Sequence, residues 1–105
     1  MTIHKSLKFK SEFKELIISK RKITTIRLNK DFNEGEEVNI MVGNEIIGKA
    51  IITRIMSTTI DKLTDIDAMK DGFKSKEELI KALKDIYGNK IKNHILYIIE
   101  FCLKD

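Results

Sequence analysis

Apolar and basic positions alternate through "LKFK" (residues 7–10), the pattern of a short strand with one buried face. Ser11 can then cap a helix that puts Phe13, Leu16 and Ile17 on one side and ends near Ser19 or Lys20. "TTIRL" (24–28) predicts the next strand, with Thr24, Ile26 and Leu28 on one face and Thr25 and Arg27 on the other. A polar turn carrying Gly35 leads into a hairpin of "EVNIMV", the pair Gly43-Asn44, and "EIIGKAIITRIM". Gly48 marks a bend or bulge in the long second arm.

The pattern then turns helical. Thr64 and Asp67 have capping-box spacing ahead of "DIDAM", and "DGF" (71–73) interrupts the run. "SKEELIKALKDIYG" is the strongest helix. Ser75 caps it, Glu78 completes a capping box, Leu79, Leu83 and Ile86 form the apolar stripe, and Gly88 stops it. "HILYIIEFCL" is apolar on both faces, as a buried central strand is. The order is β-α-β-β-β-α-α-β, which predicts an α+β fold with a small mixed or barrel-like sheet.

Composition adds bounds. The 105 residues fit one domain, residues 1–105. No run approaches the roughly 20 apolar residues of a membrane span, and the N-terminal stretch has no apolar core of a signal peptide. A single cysteine, Cys102, allows no intrachain disulfide and suits a reducing cytoplasm. The net charge of +4 is uneven. Residues 1–30 hold nine basic against two acidic residues, a balance of +7, and the remainder is −3. A basic N-terminal third suits an anionic partner such as RNA or a nucleotide phosphate. The same lysines also read as plain solvated decoration.

Several chemistries lack their residues. There is no Gly-rich phosphate loop. His4 and His94 are far apart and Cys102 has no partner motif, so no metal and no cofactor are expected.

"KRKITTIRL" (20–28), "EGEEVNI", "LTDIDAMKDGFKSKEELIKALKDIYG" and "YIIEF", in that order and spacing, resemble the ASCH domain family of the PUA-like superfamily. The likeness runs from Lys20 to Phe101. The family signature is Gly-x-Lys, two residues, a polar or acidic residue, one residue, then Arg. Here the glycine position is Lys20, the lysine Lys22, the polar position Thr25 and the arginine Arg27. The glycine supplies a left-handed helix stop. Lysine costs about 1 kcal/mol in that conformation, so a turn of different shape is open.

The resemblance implies a PUA-like pseudo-barrel with a cleft between sheet and helices that takes RNA or a nucleoside- or nucleotide-like ligand. Some members resemble acetylcytidine amidohydrolases, in which a lysine, a threonine and a glutamate act. These positions fall on Lys22, Thr25 and Asp71, the last one methylene shorter than glutamate. The candidate ligand-binding set is Lys20, Arg21, Lys22, Thr24, Thr25, Arg27 and Tyr87, with Lys22, Thr25 and Asp71 catalytic if the protein is an enzyme. Lys22 could serve as a base only with a pKa well below about 10.4. Among the seven aromatic residues, Tyr87, at the end of the best helix, is the first candidate to stack on a base.

Three functions are therefore open. The first is RNA or nucleotide binding, the second an amidohydrolase acting on an acylated cytidine, and the third a protein-interaction module for an acidic partner. Plain structural roles stand beside them. Thr24 and Thr25 are good strand formers, Asp71 before Gly72 is a natural turn residue, and Arg27 can simply face solvent.

Overall fold

A computed structural model describes residues 5–104; His4 lies outside them. The elements are β1 (Ser6–Phe9), α1 (Lys14–Ile18), β2 (Thr24–Arg27), β3 (Glu37–Val42), β4 (Glu45–Thr58), α2 (Asp65–Lys70), α3 (Lys76–Tyr87) and β5 (Leu96–Leu103). The order of strands and helices is the one the sequence pattern predicts. Single 3-10 turns precede α1 and α2, and a third, Gly88–Asn93, follows α3.

The five strands form one mixed sheet in the order β1-β3-β4-β5-β2. Only β1 and β3 run parallel; the other neighbours are antiparallel. Val42 pairs with Glu45 across Gly43-Asn44, and Gly43 has a φ of 62°, as a two-residue primed turn requires. Two bulges bend the 14-residue β4. Ile47 is the extra residue where pairing jumps from Gly48 to Ile46, and Thr53 is the extra residue between Ile52 and Arg54. Bulges increase twist and curl a sheet. The curl brings the edge strands β1 and β2 near enough for Arg27 of β2 to donate to the Lys8 carbonyl of β1 at 2.6 Å.

The sheet buries both faces. One cluster, with Leu7, Val38, Ile40, Ile52, Ile99 and Phe101, packs under Ile17 of α1. The other joins Ile26 and Ile98 to Leu63, Ala68, Leu79 and Leu83 from the helical side. Accordingly β5 is exposed only at Cys102, as expected of an inner strand.

Three local expectations need correction. Ser11 does not cap a helix; it lies inside the 3-10 turn Ser11–Phe13, with no side-chain cap bond at either start. Ser75 does cap α3, but the Glu78 carboxylate accepts from Lys74 N–H, one residue too early for a capping box. Ile86 is half exposed, because the helix turns that flank toward a cleft rather than the core. By contrast Thr64 and Asp67 form the complete box.

Candidate functional site

The turn from α1 to β2 sets the site. Ser19 ends the helix, and Lys20 adopts φ 63°, the only left-handed non-glycine among the described residues. Lys20 N–H donates to Ile17 O at 3.1 Å and Arg21 N–H to Leu16 O at 3.0 Å. That pair of bonds is a Schellman stop, the motif in which glycine usually takes the left-handed position. Lysine therefore keeps the glycine geometry, at a cost of about 1 kcal/mol. Lys22 N–H also donates to Leu16 O, and Ile23 N–H to Lys70 O, so the chain re-enters the fold with Lys22 turned inward.

Lys22 is 3% exposed. Its ammonium donates to the Asp71 carbonyl at 2.8 Å and lies 3.2 Å from Asp71 Oδ2. Three phenylalanine rings surround it, Phe13 at 4.8 Å, Phe9 at 5.7 Å and Phe73 at 5.9 Å to their centroids. At such distances a cation is attracted to the ring faces. Asp71 is 4% exposed, and its Oδ1 accepts from Thr24 Oγ1 at 2.8 Å. Burial pushes the Lys22 ammonium down from its usual pKa; Asp71 opposes this and Arg27 adds to it. Burial likewise pushes the Asp71 carboxyl up, against Lys22 and Thr24.

Gly72 makes this arrangement possible. It has φ 95°, and a Cβ there would lie 3.2 Å from Leu16 Cδ1 and 3.3 Å from Lys22 Cβ. Both the conformation and the close approach call for glycine.

Thr25 and Arg27 share a strand face as predicted. Arg27 Nε donates to Thr25 Oγ1 at 2.8 Å, while its Nη2 holds Lys8 O and its guanidinium lies 5.5 Å from the Phe9 ring centroid. Burial lowers the Arg27 pKa, though a guanidinium stays charged in proteins. Tyr87 sits at the end of α3, half-buried, with its hydroxyl 3.4 Å from Ile26 O and its pKa raised by burial.

A cleft of about 220 Å³ opens between β2 and α3. Lys22, Thr25, Arg27, Asp71 and Tyr87 line it together. Thr24 does not; it reaches Asp71 from the other side, and lines a small recess with Arg54 and Glu100. Lys20 lines a separate pocket with Thr53 and Cys102, and Arg21 is exposed, its Nε donating to Ser19 Oγ. Phe9, Phe13 and Phe73 are the residues that sequence reasoning undervalued. The alternation in "LKFK" turns Phe9 inward, but which aromatics meet at the cleft depends on packing between distant elements.

Among the described residues no group of three or more histidine, cysteine, aspartate or glutamate side chains is placed to hold a metal. No described helix is long and apolar enough to cross a membrane.

A curled five-stranded mixed sheet with helices over one opening is an α+β half-barrel of PUA-like type. Solved structures make the class narrower. An ASCH domain from Lactobacillus crispatus JV V101 matches at a TM-score of 0.75 and 14% identity, over 85% of this chain and 68% of that one. A protein from Enterococcus faecalis V583 matches at 0.75 and 17% identity, over 100% of this chain and 82% of its own. An ASCH structure from Zymomonas mobilis matches at 0.69 and 15% identity, over 95% of this chain and 66% of its own. No family model and no curated protein matches the sequence. The fold of this chain is that of ASCH domains.

Proposed function

We propose that the cleft binds a nucleotide-like ligand, free or as one unit of RNA. The observation that carries this reading is the pairing of two cations, Lys22 and Arg27, with the rings of Phe9, Phe13 and Phe73 around one opening. Cations hold carbonyl or phosphate oxygens, Arg27 with a fork of donors. Aromatic faces accept a stacked base. The volume is below the roughly 300 Å³ at which drug-sized pockets begin, which suits a single base or nucleoside. The ligand edge offered to this cleft must be rich in acceptors. Both Asp71 oxygens are already engaged, and Thr25 Oγ1 already accepts from Arg27, leaving its proton to donate.

The test is a titration of isotopically labelled protein with the four common ribonucleosides. Amide shifts concentrated at Thr25, Arg27, Phe73 and Tyr87 are expected. Shifts scattered over the surface, or none at millimolar nucleoside, would remove the reading.

A second reading has its own support: Lys22, with a pKa lowered by burial, shares the cleft with Thr25 and with a carboxyl raised by burial. In amide hydrolysis, neutral Lys22 would take the Thr25 hydroxyl proton as Oγ1 attacks the acyl carbon. Asp71 in its protonated form would deliver a proton to the leaving amine, and water would then free the acyl group. In the resting site Lys22 is instead paired with Asp71, so turnover requires that pair to open. An assay with N4-acetylcytidine decides it. Deacetylation lost in Lys22→Met and in Thr25→Val supports the enzyme, and no turnover by the native chain removes this substrate.

A further inference from the structure

Two lysines at the cleft mouth are used by neither the fold nor the site described so far. Lys8 and Lys10 both line the cleft, and both are exposed. They stand on one side of the alternation that turns Leu7 and Phe9 inward, so their side chains leave the chain in the same direction. Neither is ion-paired among the described residues, whereas Lys5, Lys14 and Lys104 have Glu36, Glu45 and Glu37. The Lys8 main chain is fixed by Arg27, and the Lys10 carbonyl accepts from Phe13 N–H, so both positions are anchored beside the cleft. With Lys22 and Arg27 they make four cations lining an opening whose only acidic lining residue, among the described residues, is Asp71, which is buried and already paired.

The gradient of environment along this wall matters. Lys22 is desolvated among rings at the floor, and Lys8 and Lys10 are hydrated at the rim. A neutral, acceptor-rich head suits the floor. A multiply charged, well-hydrated group suits the rim, where cations need not be stripped of water.

We infer that Lys8 and Lys10 form a phosphate subsite, so that the cleft takes a phosphate ester whose base enters beside the phenylalanine rings. This rests on the nucleotide reading above and adds which residues hold the phosphate of such a ligand. The phosphate can belong to a free mononucleotide or to an RNA strand passing the mouth.

The experiment is calorimetric titration of the full chain in about 50 mM salt, with uridine, cytidine, their 5′- and 3′-monophosphates, and a mixed-sequence hexaribonucleotide. At least one monophosphate is expected to bind about tenfold or more tightly than its nucleoside. The Lys8→Ala/Lys10→Ala pair should bring that monophosphate down to the nucleoside's affinity, and Lys8→Arg/Lys10→Arg should restore the gain. Both sites are exposed, so folding is not at risk, and circular dichroism checks it. A hexamer that binds more tightly than the monophosphate, with a steeper salt slope, identifies a strand as the source; equal affinity identifies the free nucleotide. Nucleoside binding with no phosphate gain, or a gain that survives the double alanine variant, overturns the subsite and leaves the nucleotide reading standing. No binding of any probe overturns both.

Discussion

The Lys22 ammonium holds Asp71 at two points, the main-chain carbonyl at 2.8 Å and Oδ2 at 3.2 Å, with both side chains almost wholly buried. Removing one partner of a buried ion pair leaves the other charge uncompensated, which costs on the order of 3–5 kcal/mol. Lys22→Met should therefore lower unfolding free energy by about that much. Lys22→Met with Asp71→Asn should recover most of the loss, because the amide can still accept from Thr24. Urea denaturation of both variants measures the coupling. A double variant as unstable as the single one would show that the pair is not a unit.

The same pair gives a pH signature. Burial lowers the Lys22 pKa below its usual 10.5. Between the lowered value and 10.5, the folded chain holds fewer protons at this position than the unfolded chain, so its contribution to stability rises with pH. Asp71→Asn removes the partner that pulls the Lys22 pKa back up, which widens the window. Thermal melts from pH 7 to about 10 should thus climb more steeply in Asp71→Asn than in the native chain, and the excess should vanish when Lys22→Met is added. An equal slope in all three proteins would mean that Lys22 ionises as if exposed.

Much of this was legible in the residues. Period-two alternation and the Gly43-Asn44 turn located the strands, and capping spacings located α2 and α3. The site was less so. "KRKITTIRL" carries Lys22, Thr25 and Arg27, but nothing local says that Lys22 turns inward while Lys20 and Arg21 turn out. That choice is made by Leu16 O, which accepts from both Arg21 and Lys22, and by Lys70 O, which accepts from Ile23. Likewise the inward flank of Phe9 was legible, whereas its meeting with Phe13 and Phe73 around a cation depends on β1, α1 and the Gly72 turn being packed together. The departure at Lys20 invited a different turn. The backbone bonds instead impose the left-handed geometry on lysine.

That imposed geometry can be measured. Lys20→Gly and Lys20→Ala both delete the side chain, and only glycine relieves φ 63°. The glycine variant should be the more stable of the two by about 1 kcal/mol in chemical denaturation. Equal stability would mean that the turn relaxes away from the left-handed region.

Gly72 should be far less tolerant. Alanine there meets a positive φ and two close contacts, one of them with Lys22 Cβ. Gly72→Ala should cost on the order of 2 kcal/mol and displace Lys22 from its ring cage. The amide shifts of Phe13 and Phe73 report that movement in the absence of ligand. A variant with native stability and unmoved shifts would show that the turn has room for a methyl group.

Arg27 links the sheet edges to the cleft, so it should register in both stability and binding. Its Nε and Nη2 serve two acceptors at once, Thr25 Oγ1 and Lys8 O, and its guanidinium carbon lies 5.5 Å from the Phe9 ring centroid. A lysine carries the charge but has a single nitrogen on a flexible stem, so it cannot reproduce this fork. Arg27→Lys should loosen the approach of β1 to β2, which hydrogen exchange would report as faster turnover of the Leu7 to Phe9 amides. The β4–β5 ladder, which the guanidinium bonds to Thr25 and Lys8 do not reach, should keep its protection. Nucleoside affinity should fall about tenfold, because the Thr25 hydroxyl loses the donor that orients its proton toward the cleft. Unchanged exchange in β1 would show that the inter-strand bonds of β1 with β3 suffice to hold that edge without the guanidinium.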